Sequence, residues 1–237
     1  MANEKKAWFI FYERSYEFQV MNETQRAKKI LKILNKIYPR IEVPLNSRNI
    51  FTLLISVLLS AQCTDINVNN VTKNIYTKYY EPHHFKKLGR KKIEKLIKKI
   101  GIFRIKAKSI YNLSKLLIEN HNGKVPKTFE ELEKLPGVGH KTASVIMSQG
   151  FGYPAFPIDT HIHRLAQRWG LTSGKNVIQT EKDLKRLFPK KNWNKLHLQI
   201  IYYGREYCKA RDCYGLTCKI CTTCYPKRKK PVKTKKA

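Results

Sequence analysis

Apolar residues recur at helical spacing along most of this 237-residue chain, and no stretch alternates apolar and polar as a half-buried strand would. Between Gln25 and Tyr38 the apolar positions Ala27, Ile30, Leu31, Leu34 and Ile37 line one face of a helix. The same reading predicts helices over Phe51–Ser60, Ile66–Tyr79, Lys91–Ile100, Arg104–Asn120, Thr128–Leu135, His140–Gln149, His161–Trp169, Thr180–Leu187 and Trp193–Tyr207. The breaks carry turn residues: Gly101, His121-Asn122-Gly123, Pro136-Gly137 and Gly150-Phe151-Gly152. The expected class is all-α, built from many helices of modest length.

Charge then narrows the partner. Lys and Arg number 48 against 17 Asp and Glu, a formal net charge of +31. Such a chain is drawn to polyanions, and nucleic acid is the commonest for a soluble protein. A lysine-rich proteome gives the same charge without any site, so charge by itself names no chemistry. The longest apolar run, Phe51 to Leu59, falls far short of the roughly 20 residues a bilayer requires. The N-terminus has charges inside its apolar stretch and no small-residue cleavage site, so it does not read as a signal peptide. An intracellular, reducing compartment is expected, with no membrane partner and a monomeric state. Five of the six cysteines lie between Cys208 and Cys224, which in that setting suggests metal over disulfides. From Lys227 to Ala237 there are seven basic residues and no acidic one, so this end is expected to be a mobile tail.

The most informative segment is Leu135-Pro136-Gly137-Val138-Gly139-His140-Lys141-Thr142, set between two predicted helices. Two glycines one residue apart allow a tight reversal and leave backbone N–H groups uncovered. Those donors open a helix, where the dipole favours an anion such as a DNA phosphate. A contact of that kind positions a protein without reading bases. A bare Gly-Val-Gly between helices is more often just a turn. Lys141 falls in the first turn of the following helix, where partial desolvation would favour the neutral amine a nucleophile needs. Asp159, in Pro157-Ile158-Asp159-Thr160-His161, precedes a predicted helix and reads first as an N-cap.

The stretches LPGVGHKTASVI (135–146) and FPIDTHIHRLAQR (156–168), with the earlier LLISVLLSAQCTD (53–65) and the later IIYYGREYC (200–208), resemble the endonuclease III family of helix-hairpin-helix base-excision glycosylases. The likeness runs from about Met21 to Cys221. It implies a bifunctional DNA glycosylase and abasic-site lyase that removes oxidised pyrimidines from damaged double-stranded DNA. Lys141 is then the Schiff-base nucleophile and Asp159 its catalytic carboxylate. Gln62 is the wedge that fills the gap left by a flipped base. Gly137, Val138, Gly139, His140 and Thr142 would contact DNA, with His140 in place of the usual Arg or Lys and therefore a weaker, pH-dependent phosphate contact.

The resemblance also implies a [4Fe–4S] cluster on four C-terminal cysteines, but no choice of four reproduces the usual spacing. The best match takes Cys208, Cys218, Cys221 and Cys224, with Cys213 the less favoured fourth ligand. Structural zinc or no metal remain open on these residues. The implied architecture is two helical domains with DNA in the cleft between them. Residues 1–20 form an extension, 21–41 a helix joining the second domain, 42–153 a helical barrel with the hairpin, 154–226 the second domain with its cysteine loop, and 227–237 the tail. A monofunctional adenine or mismatch glycosylase and a non-catalytic helix-hairpin-helix DNA-binding protein are the alternatives. Lys141 argues against the first, and Lys141 with Asp159 against the second.

Overall fold

The computed structural model describes residues 21–237, so the expected N-terminal extension lies outside the described residues. Eleven α-helices follow one another: α1 (Glu23–Ile37), α2 (Ile50–Ser60), α3 (Asp65–Tyr76), α4 (Pro82–Leu96), α5 (Phe103–His121), α6 (Phe129–Glu133), α7 (His140–Val145), α8 (Thr160–Arg168), α9 (Val177–Leu187), α10 (Trp193–Glu206) and α11 (Lys219–Cys224). No strand is present among the described residues. None of their helices is long and apolar enough to cross a membrane.

Local chemistry fixes the helix starts. Asn22 and Gln25 close a reciprocal capping box on α1, and Asn49 and Thr52 close another on α2. Helix α2 is apolar all round and buried from Phe51 to Leu59, which makes it the central rod of one core. Around it pack Val68 and Ile75 of α3, Phe85 and Ile93 of α4, Ile110 and Leu113 of α5, and Ala143 of α7. Phe51 and Phe85 meet edge to face, with centroids 5.6 Å apart.

A second core gathers Ala27, Ile30 and Leu34 of α1 with Leu165 and Trp169 near the end of α8, Leu184 of α9, Ile200 and Tyr203 of α10 and the cysteine loop. Helix α1 therefore packs against residues far along the chain, tied by the Gln199 amide, which donates to Leu34 O and Tyr38 O at 3.3 and 2.9 Å. The chain leaves the first core near Ala155 and enters the second at Phe156. Arg205 of α10 meets Asp65 of α3 at 2.8 Å, an ion pair bridging the two packed units.

Several expected elements differ from those observed. Helix α4 begins at Pro82, earlier than the periodicity suggests, because Gly89 at φ +72° breaks the phase inside it. Helix α7 gives way after Val145 to a π-turn over Ile146–Gly150, closed by Phe151 N–H to Ile146 O at 3.1 Å. Helix α11 was not expected at all; its cysteines looked like loop ligands. The basic tail, expected to be mobile, is docked. Arg228 donates to Arg168 O at 2.7 Å, Val232 N–H to Tyr214 O at 2.9 Å, and Lys235 N–H to Gln167 Oε1 at 2.8 Å. Charge counting misses this because the tail is held through its backbone and one arginine.

Candidate active site and metal centre

The hairpin between α6 and α7 is built as its glycines require. Gly137 adopts φ +81°, and a Cβ there would stand 3.0 Å from Ser109 Cβ and 3.1 Å from a Leu58 methyl. Gly139 is the N-cap of α7; a Cβ there would meet nothing within 4 Å. Having no side chain, Gly139 leaves the first amides of the helix without a side-chain acceptor. Val138 was expected among the DNA contacts, but its side chain is buried and its N–H closes the turn onto Leu135 O at 3.0 Å. It holds the hairpin's shape from inside.

His140 also departs from expectation. Its Nδ1 lies 2.8 Å from Glu133 and its Nε2 3.2 Å from Glu181, and its ring stacks on Phe129. Burial by itself would lower its pKa, but the hydrogen bond to Glu133 and the charge of Glu181 outweigh that and raise it. Both ring nitrogens are thus paired with carboxylates on the protein surface, which competes with any contact of the ring to a phosphate. Thr142 is half-buried in the same turn.

Lys141 is exposed. The desolvation expected at this position is therefore not supplied by the protein alone. Asp159 is half-buried, and its Oδ1 accepts the N–H of Ile162 at 2.7 Å, capping α8. The charges of Lys141 and Asp159 both act on His161 and on His197, so the four groups share one neighbourhood. Burial lowers the pKa of His161, and that of His197 is pushed down to about 4. Both imidazoles near the two charged groups thus stay neutral at neutral pH. His197, on α10, escaped the sequence reading because a histidine on an apolar helix face carries no motif.

Gln62 projects from the turn between α2 and α3, exposed and at φ +55°. Beside it, Ile102 is half exposed at φ +51°, on the turn that begins α5. Left-handed backbone is uncommon for any residue but glycine, and a branched side chain makes it rarer still. Their turns touch: a Cβ built on Gly101 would lie 3.8 Å from Gln62 O. Ile102 was not singled out from the sequence, where an isoleucine after glycine reads as core.

At the far end of α8 the thiols of Cys208, Cys213, Cys218 and Cys221 are all buried, and their sulfurs lie within 4.8 Å of one another. Cys208 and Cys213 approach Cys221 at 3.9 and 3.8 Å. The expected set had Cys224 in place of Cys213. The structure makes the exchange: Cys213 lies within the group of four sulfurs, whereas Cys224, one helical turn beyond Cys221 on α11, lies outside it. Four buried thiols are a metal-ligating donor set that suits an iron–sulfur cluster or a tetrahedral zinc. Arg168, itself buried, donates to Cys208 Sγ at 3.3 Å and to the carbonyls of Lys209 and Ala210 at 2.8 and 2.9 Å. It anchors the loop that carries the first two cysteines.

Known proteins share this arrangement. Residues 55–190 match the family described as HhH-GPD superfamily base excision DNA repair protein. Endonuclease III of Bacillus subtilis (strain 168) is 41% identical over 210 residues, covering 87% of this chain and 96% of that protein. Endonuclease III of Escherichia coli (strain K12) is 39% identical over 209 residues, covering 88% and 99%. A solved structure of a trapped endonuclease III–DNA covalent intermediate, an estranged-adenine complex, superposes with a TM-score of 0.80 at 41% identity, covering 84% of this chain and 94% of that one. A non-covalent endonuclease III–DNA complex gives 0.82 at 40% identity, covering 86% and 96%. With this much of both chains shared, the protein belongs to the endonuclease III family within the HhH-GPD superfamily of base excision DNA repair proteins.

Proposed function

We propose that this chain is a base-excision DNA glycosylase with abasic-site lyase activity, acting on oxidised pyrimidines in damaged double-stranded DNA inside the cell. The observation that carries the reading is that Lys141, two residues after the second hairpin glycine, and the helix-capping Asp159 lie close enough for both charges to act on His161 and His197. Similarity to a protein trapped as a covalent intermediate with DNA supports it.

The amides opening α7 would hold a backbone phosphate beside the lesion, with Gly137 and Gly139 keeping that approach clear. Gln62 would occupy the space left in the stack as the damaged nucleotide swings out. Closing DNA over the exposed Lys141 removes water from its amine, supplying the desolvation the free protein lacks. The neutral amine attacks C1′ as the glycosidic bond breaks, and the base leaves with the bonding electrons and takes up a proton. Opening of the sugar ring converts the adduct to an imine with loss of the amine proton. Removal of the C2′ proton then expels the 3′ phosphate and nicks the strand. Asp159 keeps one oxygen on the helix cap and turns the other toward the sugar, where its charge favours the developing cation. Cys208, Cys213, Cys218 and Cys221 would hold the family's iron–sulfur cluster or a zinc ion, which when bound cross-links the loop at four points.

Borohydride reduction during reaction with duplex containing an oxidised pyrimidine tests this. A covalent protein–DNA adduct is expected for the wild type and not for Lys141→Ala. An adduct that survives Lys141→Ala, or none from the wild type, would overturn the assignment.

A further inference from the structure

Lys106 is buried to 3% exposure, where the apolar face of α5 between Phe103 and Ile110 calls for an apolar side chain. A buried lysine is rare unless it is partnered, and among the described residues this one meets no carboxylate. Its ammonium donates instead to two backbone carbonyls, Leu59 O at 2.9 Å and Ala61 O at 2.6 Å. Those are among the otherwise unpaired carbonyls that end α2, at the negative end of its dipole. Ala61 immediately precedes Gln62. The backbone N–H of the same lysine donates to Ile102 O at 3.2 Å.

Lys106, in the first turn of the helix that Ile102 caps, thus ties that helix to the Gln62 turn through its side chain, while its N–H makes the helix's own i→i−4 bond. Of the four non-glycine residues with positive φ among the described residues, Gln62 and Ile102 are two, and both present exposed side chains from touching turns. Asn67 adds a further tie between the same turns, donating to Cys63 Sγ and Lys99 O, both at 3.2 Å. A strained conformation persists only where its surroundings over-determine it, and the buried Lys106 ammonium is one such constraint between the two turns.

We infer that Lys106 is a positioning residue for strand opening: its buried ammonium fixes the Gln62 turn against the Ile102 turn, so that the two side chains enter a duplex as one rigid element. This rests on the glycosylase reading above. Lys106 touches no DNA and acts only through the two turns it holds.

Two substrates separate this role from a general structural one. In a lesion duplex carrying 2-aminopurine opposite the damaged base, a rise in fluorescence on binding reports unstacking and needs no catalysis. A single strand with a preformed abasic site requires the lyase step but has no pair to open. Lys106→Met should lose most of the fluorescence rise and slow base removal in duplex by about tenfold or more. It should cleave the single strand within about twofold of wild type, since Lys141 is untouched. Lys106→Arg should restore the duplex reaction. Adding Gln62→Ala to Lys106→Met should cost little further. Equal losses on both substrates, or an undiminished fluorescence rise, would overturn the inference. If Lys106→Met fails to fold, Lys106→Gln is read in its place: its shorter amide can reach at most one of the two carbonyls, so a partial loss of the fluorescence rise is expected, with single-strand cleavage within about twofold of wild type. A wild type that cleaves neither substrate sinks the functional reading, whereas an active wild type matched by Lys106→Met sinks this inference alone.

Discussion

Asp159 Oδ1 accepts the backbone N–H of Ile162 at 2.7 Å, so the carboxylate proposed for chemistry also starts helix α8. The two roles respond differently to substitution. Asparagine caps a helix about as well as aspartate, whereas alanine removes the cap at a cost of about 1 kcal/mol. Asp159→Asn should therefore melt close to wild type yet lose about a hundredfold in single-turnover base removal, as the loss of a charged catalytic group does. Asp159→Ala should show a comparable rate defect and a lower melting temperature. Near wild-type activity in Asp159→Asn would leave this residue as a cap and nothing more.

The metal centre allows a second separation. Cys213 stands inside the group of four sulfurs, while Cys224 stands outside it and burial pushes its thiol up to about 12, a protonated group near neutral pH. Cys213→Ser should lose bound metal, measured as iron and zinc per chain. Cys224→Ser should retain it. The reverse pattern would restore the set favoured by sequence spacing.

His140 makes a pH-dependent contribution that the hairpin motif does not announce. Its pKa is raised in the folded protein, because Glu133 and Glu181 together outweigh its burial. A raised folded pKa means that the stabilisation is complete below the ordinary value of 6.5 and is lost as pH climbs through the folded value. The side chain is 58% exposed, so solvent screens the effect and keeps it small. Wild type should thus exceed His140→Gln in melting temperature below pH 6.5, and the gap should close as pH rises through the raised folded value. A gap that does not change with pH would mean that stacking on Phe129, not charge, is what His140 contributes.

These residues mark how far the sequence could be read. The hairpin was legible because Gly137 and Gly139 flank one residue and open a helix, a local pattern with a local cause. Asp159 was legible as a cap for the same reason. Cys213 and Cys224 could not be ranked from spacing, since the fold of the Tyr214–Gly215 turn decides which thiol comes inward. His197 enters the site only because α10 packs against α8, a contact between distant segments. Lys106 left a usable signal, a charge on an apolar helical face, but its carbonyl partners lie more than forty residues earlier in the chain. The docked tail left none, because a backbone hydrogen bond to Gln167 has no compositional trace.

The two hairpin glycines should separate folding from DNA contact. Gly137 sits at φ +81° with Ser109 and Leu58 crowding the place of a Cβ. Gly137→Ala therefore meets both backbone strain and a clash, and should destabilise the protein by about 1–2 kcal/mol or more. Gly139 has an ordinary extended conformation and open space where a Cβ would go. Gly139→Ala should fold and melt nearly as wild type does. Its methyl would nevertheless stand in the approach to the first amides of α7, where a phosphate is proposed to sit. Binding to undamaged duplex should therefore weaken, with a shallower dependence on salt, because one phosphate contact fewer releases fewer counterions. Unaltered affinity and salt slope in a folded Gly139→Ala protein would remove the phosphate from this hairpin.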